Sequence, residues 1–246
     1  MRNVQIALAF ALVVVGVVPA GAAGPDPCPI PLPTGDEPVE LDPADFVGGI
    51  DNPYWPMAPG TRWVYRETDG RGGAQQVVVT VKARTRDILG IDATVVRDVV
   101  TEREEPMEDT LDWFAQDVCG NVWYLGERTK EYVDGKVVST EGSWEAGVDG
   151  AQAGVVMPAE PMAGLSYRQE HYAGHAEDAA QVLSGEERAQ VPAGSFRDVL
   201  LTKDSTPLEP RVLEYKLYAP EVGPVLVLAV SGGAAREELV RFDRPA

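Results

Sequence analysis

Residues 76–84 read QVVVTVKAR and residues 110–116 read TLDWFAQ, and both alternate with a period of two. Val77, Val79, Val81 and Ala83 fall on one face of an extended chain, with Gln76, Thr80, Lys82, Arg84 and one more valine, Val78, on the other. Successive side chains of a strand point to opposite faces, so this pattern predicts β-strands. In the second stretch Leu111, Trp113 and Ala115 alternate with Thr110, Asp112, Phe114 and Gln116, so each face carries an aromatic. Turn signals follow at intervals of about 15 residues: Asp69-Gly70-Arg71-Gly72-Gly73, Leu89-Gly90, Glu105-Pro106, Cys119-Gly120-Asn121 and Asp134-Gly135. Long strands joined by tight turns predict an antiparallel meander.

The rhythm continues downstream, with strands expected at 165–172, 176–184, 186–191, 196–204, 211–219, 224–230 and 236–242. Val225–Val230 (VLVLAV) is apolar on both faces, as an interior strand covered on both sides would be. Residues 142–164 break the pattern and read as a long loop with a short helical turn at 144–148, and a loop of that length is either functional or hides an element. About a dozen strands cannot stay flat, because twist makes large sheets curl. The expected fold is therefore all-β: a strongly curved antiparallel meander forming a half-open barrel. Residues 24–60 carry ten prolines and form an extended N-terminal arm whose aromatic end, Asp51–Met57, packs on the body. The organisation read from this is 1–23 signal peptide, 24–60 Pro-rich arm and 61–243 one β-rich domain.

Arg2, the apolar run Ile6–Val18 and the small residues Gly21, Ala22 and Ala23 make up that signal peptide. The run is too short to span a bilayer, for which about 20 apolar residues are needed. A secreted or periplasmic product without a stable membrane anchor is expected. Cys28 follows Pro25-Asp26-Pro27, which is not a lipidation signal; in an oxidising compartment a bridge to Cys119 is expected, with two free buried thiols as the alternative. The chain carries 21 Lys+Arg against 39 Asp+Glu, a net charge of −18. Such a chain is repelled by nucleic acid and by anionic membrane surfaces. Six acids crowd into residues 102–112, which reads as a solubilising, charged hairpin tip that discourages edge pairing.

The runs Asp51–Glu67 (DNPYWPMAPGTRWVYRE), Glu108–Glu127 (EDTLDWFAQDVCGNVWYLGE), 142–161 and Tyr215–Val225 (YKLYAPEVGPV) resemble a family of secreted bacterial proteins with no assigned activity, over roughly residues 42 to 243. More loosely, the Trp-x-Tyr opening strand and the Tyr-Ala-Pro-x-x-Gly-Pro-Val closing turn resemble exported half-barrels of the lipoprotein-carrier type. That likeness implies at most an apolar ligand on a concave sheet, and fold analogy is not functional evidence.

Aromatics and methionines form the richest candidate set for a ligand. Trp113, Trp123, Tyr124, Trp144, Met157 and Met162, together with Trp55 and Trp63, are expected to line a largely apolar pocket under the 142–164 loop. The reading is a non-catalytic binding protein for a small apolar or amphiphilic molecule, or for another exported protein. The first alternative is a Ca²⁺-dependent module, with Asp112, Asp117 and Asp149 supplying hard oxygen ligands from turns. The second is a carboxylate-based hydrolase, whose mark would be two titratable groups with perturbed environments in one cleft. His171 and His175 flank a turn and read as a polar hairpin tip rather than a metal site. There is no Gly-x-Ser-x-Gly elbow, so a serine nucleophile is not expected.

Overall fold

The alternating valines build strands long enough to wrap. The computed structural model describes residues 30–245; the expected signal peptide and Cys28 lie outside them. The first half holds β1 (Phe46–Val47), β2 (Arg62–Thr68), β3 (Ala74–Ile88), β4 (Ile91–Glu102), β5 (Glu105–Asp117) and β6 (Val122–Arg128). Short pieces follow: β7 (Glu131–Val133), β8 (Lys136–Ser139), β9 (Trp144–Glu145), β10 (Gln152–Met157), β11 (Ser166–Arg168) and β12 (Glu170–His171). The last five are β13 (Ala179–Val191), β14 (Gly194–Ser205), β15 (Leu213–Ala219), β16 (Gly223–Ser231) and β17 (Arg236–Asp243). A single 3-10 turn, Pro43–Asp45, is the one helical element among the described residues.

Every pairing is antiparallel. Strands β2 to β6 each pair with the next, as do β13 to β17, and β17 returns to β2 with Arg236 opposite Thr68 and Asp243 opposite Arg62. The remaining gap is bridged by β10, which pairs with β6 on one side and β12 on the other, while β11 pairs with β13. The curved meander expected from the sequence therefore closes further than a half-barrel, leaving one seam where Gln169 separates β11 from β12. Gly154 is needed at that seam: a Cβ there would run into the backbone of Arg168 and Gln169.

Two expectations change. Residues 142–164 are not a loop laid across the sheet with a helical turn at 144–148; they contain β9 and the barrel strand β10. Five consecutive residues of β10, Ala153–Met157, are buried, so no polar face remained to mark it by alternation. Gly185 does not break a strand either, because β13 passes through it with register shifts against β14 between Val182 and Arg188.

The described part of the arm packs as expected. The amides of Asp51 and Asn52 both donate to Gln116 Oε1 at 2.9 Å, and Asn52 Nδ2 donates to the carbonyls of Gly120 and Pro158. Glu221 N donates to Pro53 O at 2.7 Å. These bonds tie the segment across the β5–β6 and β15–β16 turns, so it plugs one end of the barrel with Trp55 and Met57. Cys119 sits in the β5–β6 turn and is not a free thiol.

Candidate ligand cavity

Alternation along four strands sends one row of side chains each to the barrel interior. From β2 come Trp63, Tyr65 and Glu67; from β15, Tyr218, Lys216 and Glu214; from β5, Phe114 and Asp112; from β4, Val96 and Asp98. Each row starts apolar near the arm and ends in a carboxylate. The result is a cavity of about 430 Å³, within the rough 300–1,000 Å³ range of small-molecule sites.

Its arm-side end is aromatic. The Trp55 ring lies 5.6 Å from Phe114 and 5.7 Å from Tyr218, and Phe114 stacks on Tyr124 at 4.8 Å. Two of its polar atoms are bound to the wall: Trp63 Nε1 donates to Val222 O at 2.7 Å and Tyr65 Oη to Pro224 O at 3.0 Å. Toward the other end the wall carries Glu67, Asp98, Asp112 and Glu237, joined by Glu170, Asp178 and Glu214. Lys216 is the one cation lining the cavity among the described residues.

Burial and mutual repulsion perturb these acids. Burial, reinforced by Glu108, Glu127 and Glu67, pushes Asp98 up to about 7. Glu237 is pushed up to about 8 by burial and then by Asp98 and Glu67. Glu170 rises to about 8 through burial and then Asp178 and Glu127. Burial first, then Glu127, raises Asp112 far above the carboxylate range, although Tyr124 Oη donates to its Oδ1 at 2.8 Å. Burial opposes the charge on Lys216, but Asp204, whose Oδ2 lies 3.0 Å from Nζ, outweighs it and holds the ammonium above the ordinary lysine range.

Of the six side chains expected to bind a ligand, only Tyr124 faces this cavity. Trp113 and Trp123 are buried on the opposite faces of β5 and β6. Arg86 lies over the Trp113 ring at 4.3 Å, while Trp123 packs edge-on against Phe46 and donates Nε1 to Asp117 at 2.8 Å. Trp144 stands behind Tyr124 with ring centroids 5.3 Å apart. Met157 is fully buried and Met162 is 67% exposed. The bulky indoles of β5 and β6 thus serve packing under β1 and beneath the Arg86 guanidinium, and the β5 face with Asp112 and Phe114 is the one turned inward. Trp55 and Trp63 do line the cavity.

The three acids expected to hold Ca²⁺ do not meet. Asp112 faces the cavity. Asp117 is saturated by the amides of Cys119 and Asn121, by Asn121 Nδ2 and by Trp123 Nε1, all at 2.8–2.9 Å. Asp149 is an exposed turn residue with φ 51°. No group of three or more His, Cys, Asp or Glu able to hold a metal occurs among the described residues. His175 stacks on Tyr172 at 4.4 Å in a hairpin tip.

Asp98, Glu67, Glu237 and Lys216 carry no motif that singles them out in the sequence. A signal existed: Trp63-x-Tyr65-x-Glu67 and Glu214-x-Lys216-x-Tyr218 put charges in phase with aromatics on a single strand face. No helix among the described residues is long and apolar enough to cross a membrane.

No protein-family model and no curated protein matches the chain, so the resemblance carried by 51–67 and 108–127 has no family match behind it. Among solved structures, the chain is similar to a lipoprotein candidate from Parabacteroides distasonis, at 13% identity and TM-score 0.44, covering 77% of this chain and 98% of that one. It is also similar to a β-barrel-like protein of the domain of unknown function DUF1849 from Brucella abortus, at 13% identity and TM-score 0.43, covering 76% and 98%.

Proposed function

We propose that the protein is an exported, non-catalytic binding protein that holds an amphiphilic small molecule inside the barrel. One observation carries the reading: a cavity of about 430 Å³ whose lining passes from aromatic rings to ionisable groups along its length. That polarity matches a ligand with an apolar body and a polar head. Saturable, one-to-one enhancement of N-phenylnaphthylamine fluorescence is the expected result with the purified protein. Val79→Trp, which fills the cavity from β3, abolishes it while the melting transition survives. Absence of saturable binding by the wild-type protein would defeat the reading. Export and a Cys28–Cys119 bridge belong to the same proposal, and non-reducing peptide mapping of the mature protein tests both.

A carboxylate-based hydrolase is favoured by a separate observation, the presence of Asp98, Asp112 and Glu237 with raised pKa values in one cavity. Glycoside hydrolysis requires one protonated acid and one ionised partner across the scissile bond. Turnover of aryl glycosides, lost in both Asp98→Asn and Asp112→Asn, would establish it; no turnover above buffer leaves the binding reading.

A further inference from the structure

The cavity's charge imbalance identifies the polar end of its ligand. Seven acidic side chains line the wall against one ammonium, Lys216, and that ammonium is already engaged by Asp204; above about pH 7, where Asp98 ionises, the wall is short of positive charge. Glu67 and Glu237 stand directly opposite each other across the β2–β17 pair, an arrangement in which like charges repel. Asp98 is the sharpest case. Its Oδ1 is sealed from solvent and has no hydrogen-bond partner, so the side chain meets the cavity through Oδ2. A buried acceptor left without a donor is costly, and a charged one more so. Oδ2 is open to a donor from the cavity, and a cation that donates to it would also offset the excess of acids.

A metal ion does not fit this description, because among the described residues no three of these acids come together around one point. An organic cation does. Trp55, Phe114 and Tyr218 at the far end offer apolar surface to a hydrocarbon tail, and aromatic faces tolerate an ammonium close by. A primary ammonium has three N–H donors, which a quaternary one lacks.

We propose that the cavity takes a primary alkylammonium amphiphile: its head donates to Asp98 Oδ2, within the field of Glu67 and Glu237, and its tail lies against Trp55, Phe114 and Tyr218. This rests on the binding reading above and names its ligand class. The test is calorimetric titration of the purified protein at pH 8 with octylammonium and, separately, with octanol, which share a tail and differ in head charge. Octylammonium is expected to bind about tenfold tighter or more, the usual advantage of a hydrogen bond to a charged group. Asp98→Asn, a neutral isostere that relieves the buried charge and so folds, is expected to collapse the ratio between the two probes. Equal affinities on the wild-type protein, or a ratio unchanged in Asp98→Asn, would overturn the ammonium assignment and leave the cavity reading intact. Failure of both probes to bind would overturn the two together.

Discussion

Two buried aspartates show how differently one residue type is used. Asp117 accepts four hydrogen bonds, two on each oxygen, and so holds the β5–β6 turn and the Trp123 ring in place. In Asp117→Asn one oxygen becomes an NH₂ group facing two donors, Asn121 Nδ2 and Trp123 Nε1. Loss of a buried charge-assisted pair costs about 3 kcal/mol, and the melting temperature falls by about 6–12 °C at roughly 2–4 °C per kcal/mol for a chain this long. A smaller fall would mean that the turn repacks. Asp98 is the opposite case: burial raises its pKa to about 7, while an unfolded aspartate titrates near 4. The native state then holds a proton that the unfolded state has lost, so Asp98 costs stability from about pH 4 upward, and the cost is complete above about pH 7. Asp98→Asn is expected to raise the melting temperature, and to raise it more at pH 8 than at pH 5. An equal gain at both values would show that ionisation is not the cause. The clustering of aromatics around residues 110–116 points to a pocket, but an aromatic side chain suits packed core and cavity wall alike, and Trp113 belongs to the core.

At the scale of elements, the turns carry most of what was legible. Leu89-Gly90 and Asp134-Gly135 have both residues at positive φ, as two-residue hairpins with right-twisted strands require, and both show glycine at the second position. The β4–β5 turn keeps the same geometry without glycine: Arg103 has φ 51° and Glu104 φ 73°. A side chain in that region costs about 1 kcal/mol, so Glu104→Gly is expected to stabilise by about that amount, or about 2–4 °C in a thermal melt. A lower melting temperature would show that the wild-type turn is relaxed. This hairpin was expected around Glu105-Pro106, within two residues of its true tip, because the Pro signal was read in place of the unmarked Arg-Glu pair. The strands themselves were readable wherever one face is polar. β10 was not, since Ala153–Met157 are buried on both faces. The closure it brings was hidden too, because pairing between β10 and β6 joins residues far apart in sequence.

For the whole molecule, the net charge of −18 is segregated rather than spread as a solubilising shell. Acids expected at hairpin tips are joined by a set inside the barrel, while Lys82, Arg84, Arg97, Arg128 and Lys130 gather around Asp109 on the outer side of β3–β6. The buried acids, those of the cavity and Glu127 on β6, govern the response to pH. Glu170 and Glu237 are held up to about 8 and Asp98 and Glu127 up to about 7, in each case first by burial. Their unfolded values lie near 4. Between about pH 4 and pH 8 the native chain therefore binds more protons than the unfolded one, and stability falls as pH rises through that window. Groups with lowered pKa act elsewhere. Backbone amides at Thr34 hold Glu37 at about 2, and Asp69, Asp109 and Glu238 are also lowered. Their contribution is lost only in acid, as pH falls below the unfolded value near 4, and stays constant from pH 5 to pH 8. Thermal melts across that range are expected to show a steady decline. At pH 8 a primary alkylammonium restores part of it, since a ligand that binds only the native state stabilises by mass action, whereas at pH 5, with the wall protonated, it restores little. A flat profile from pH 5 to pH 8 would show that cavity water solvates the acids well enough to ionise them at ordinary values, and the interior would then exert no unmet electrostatic demand for a cation.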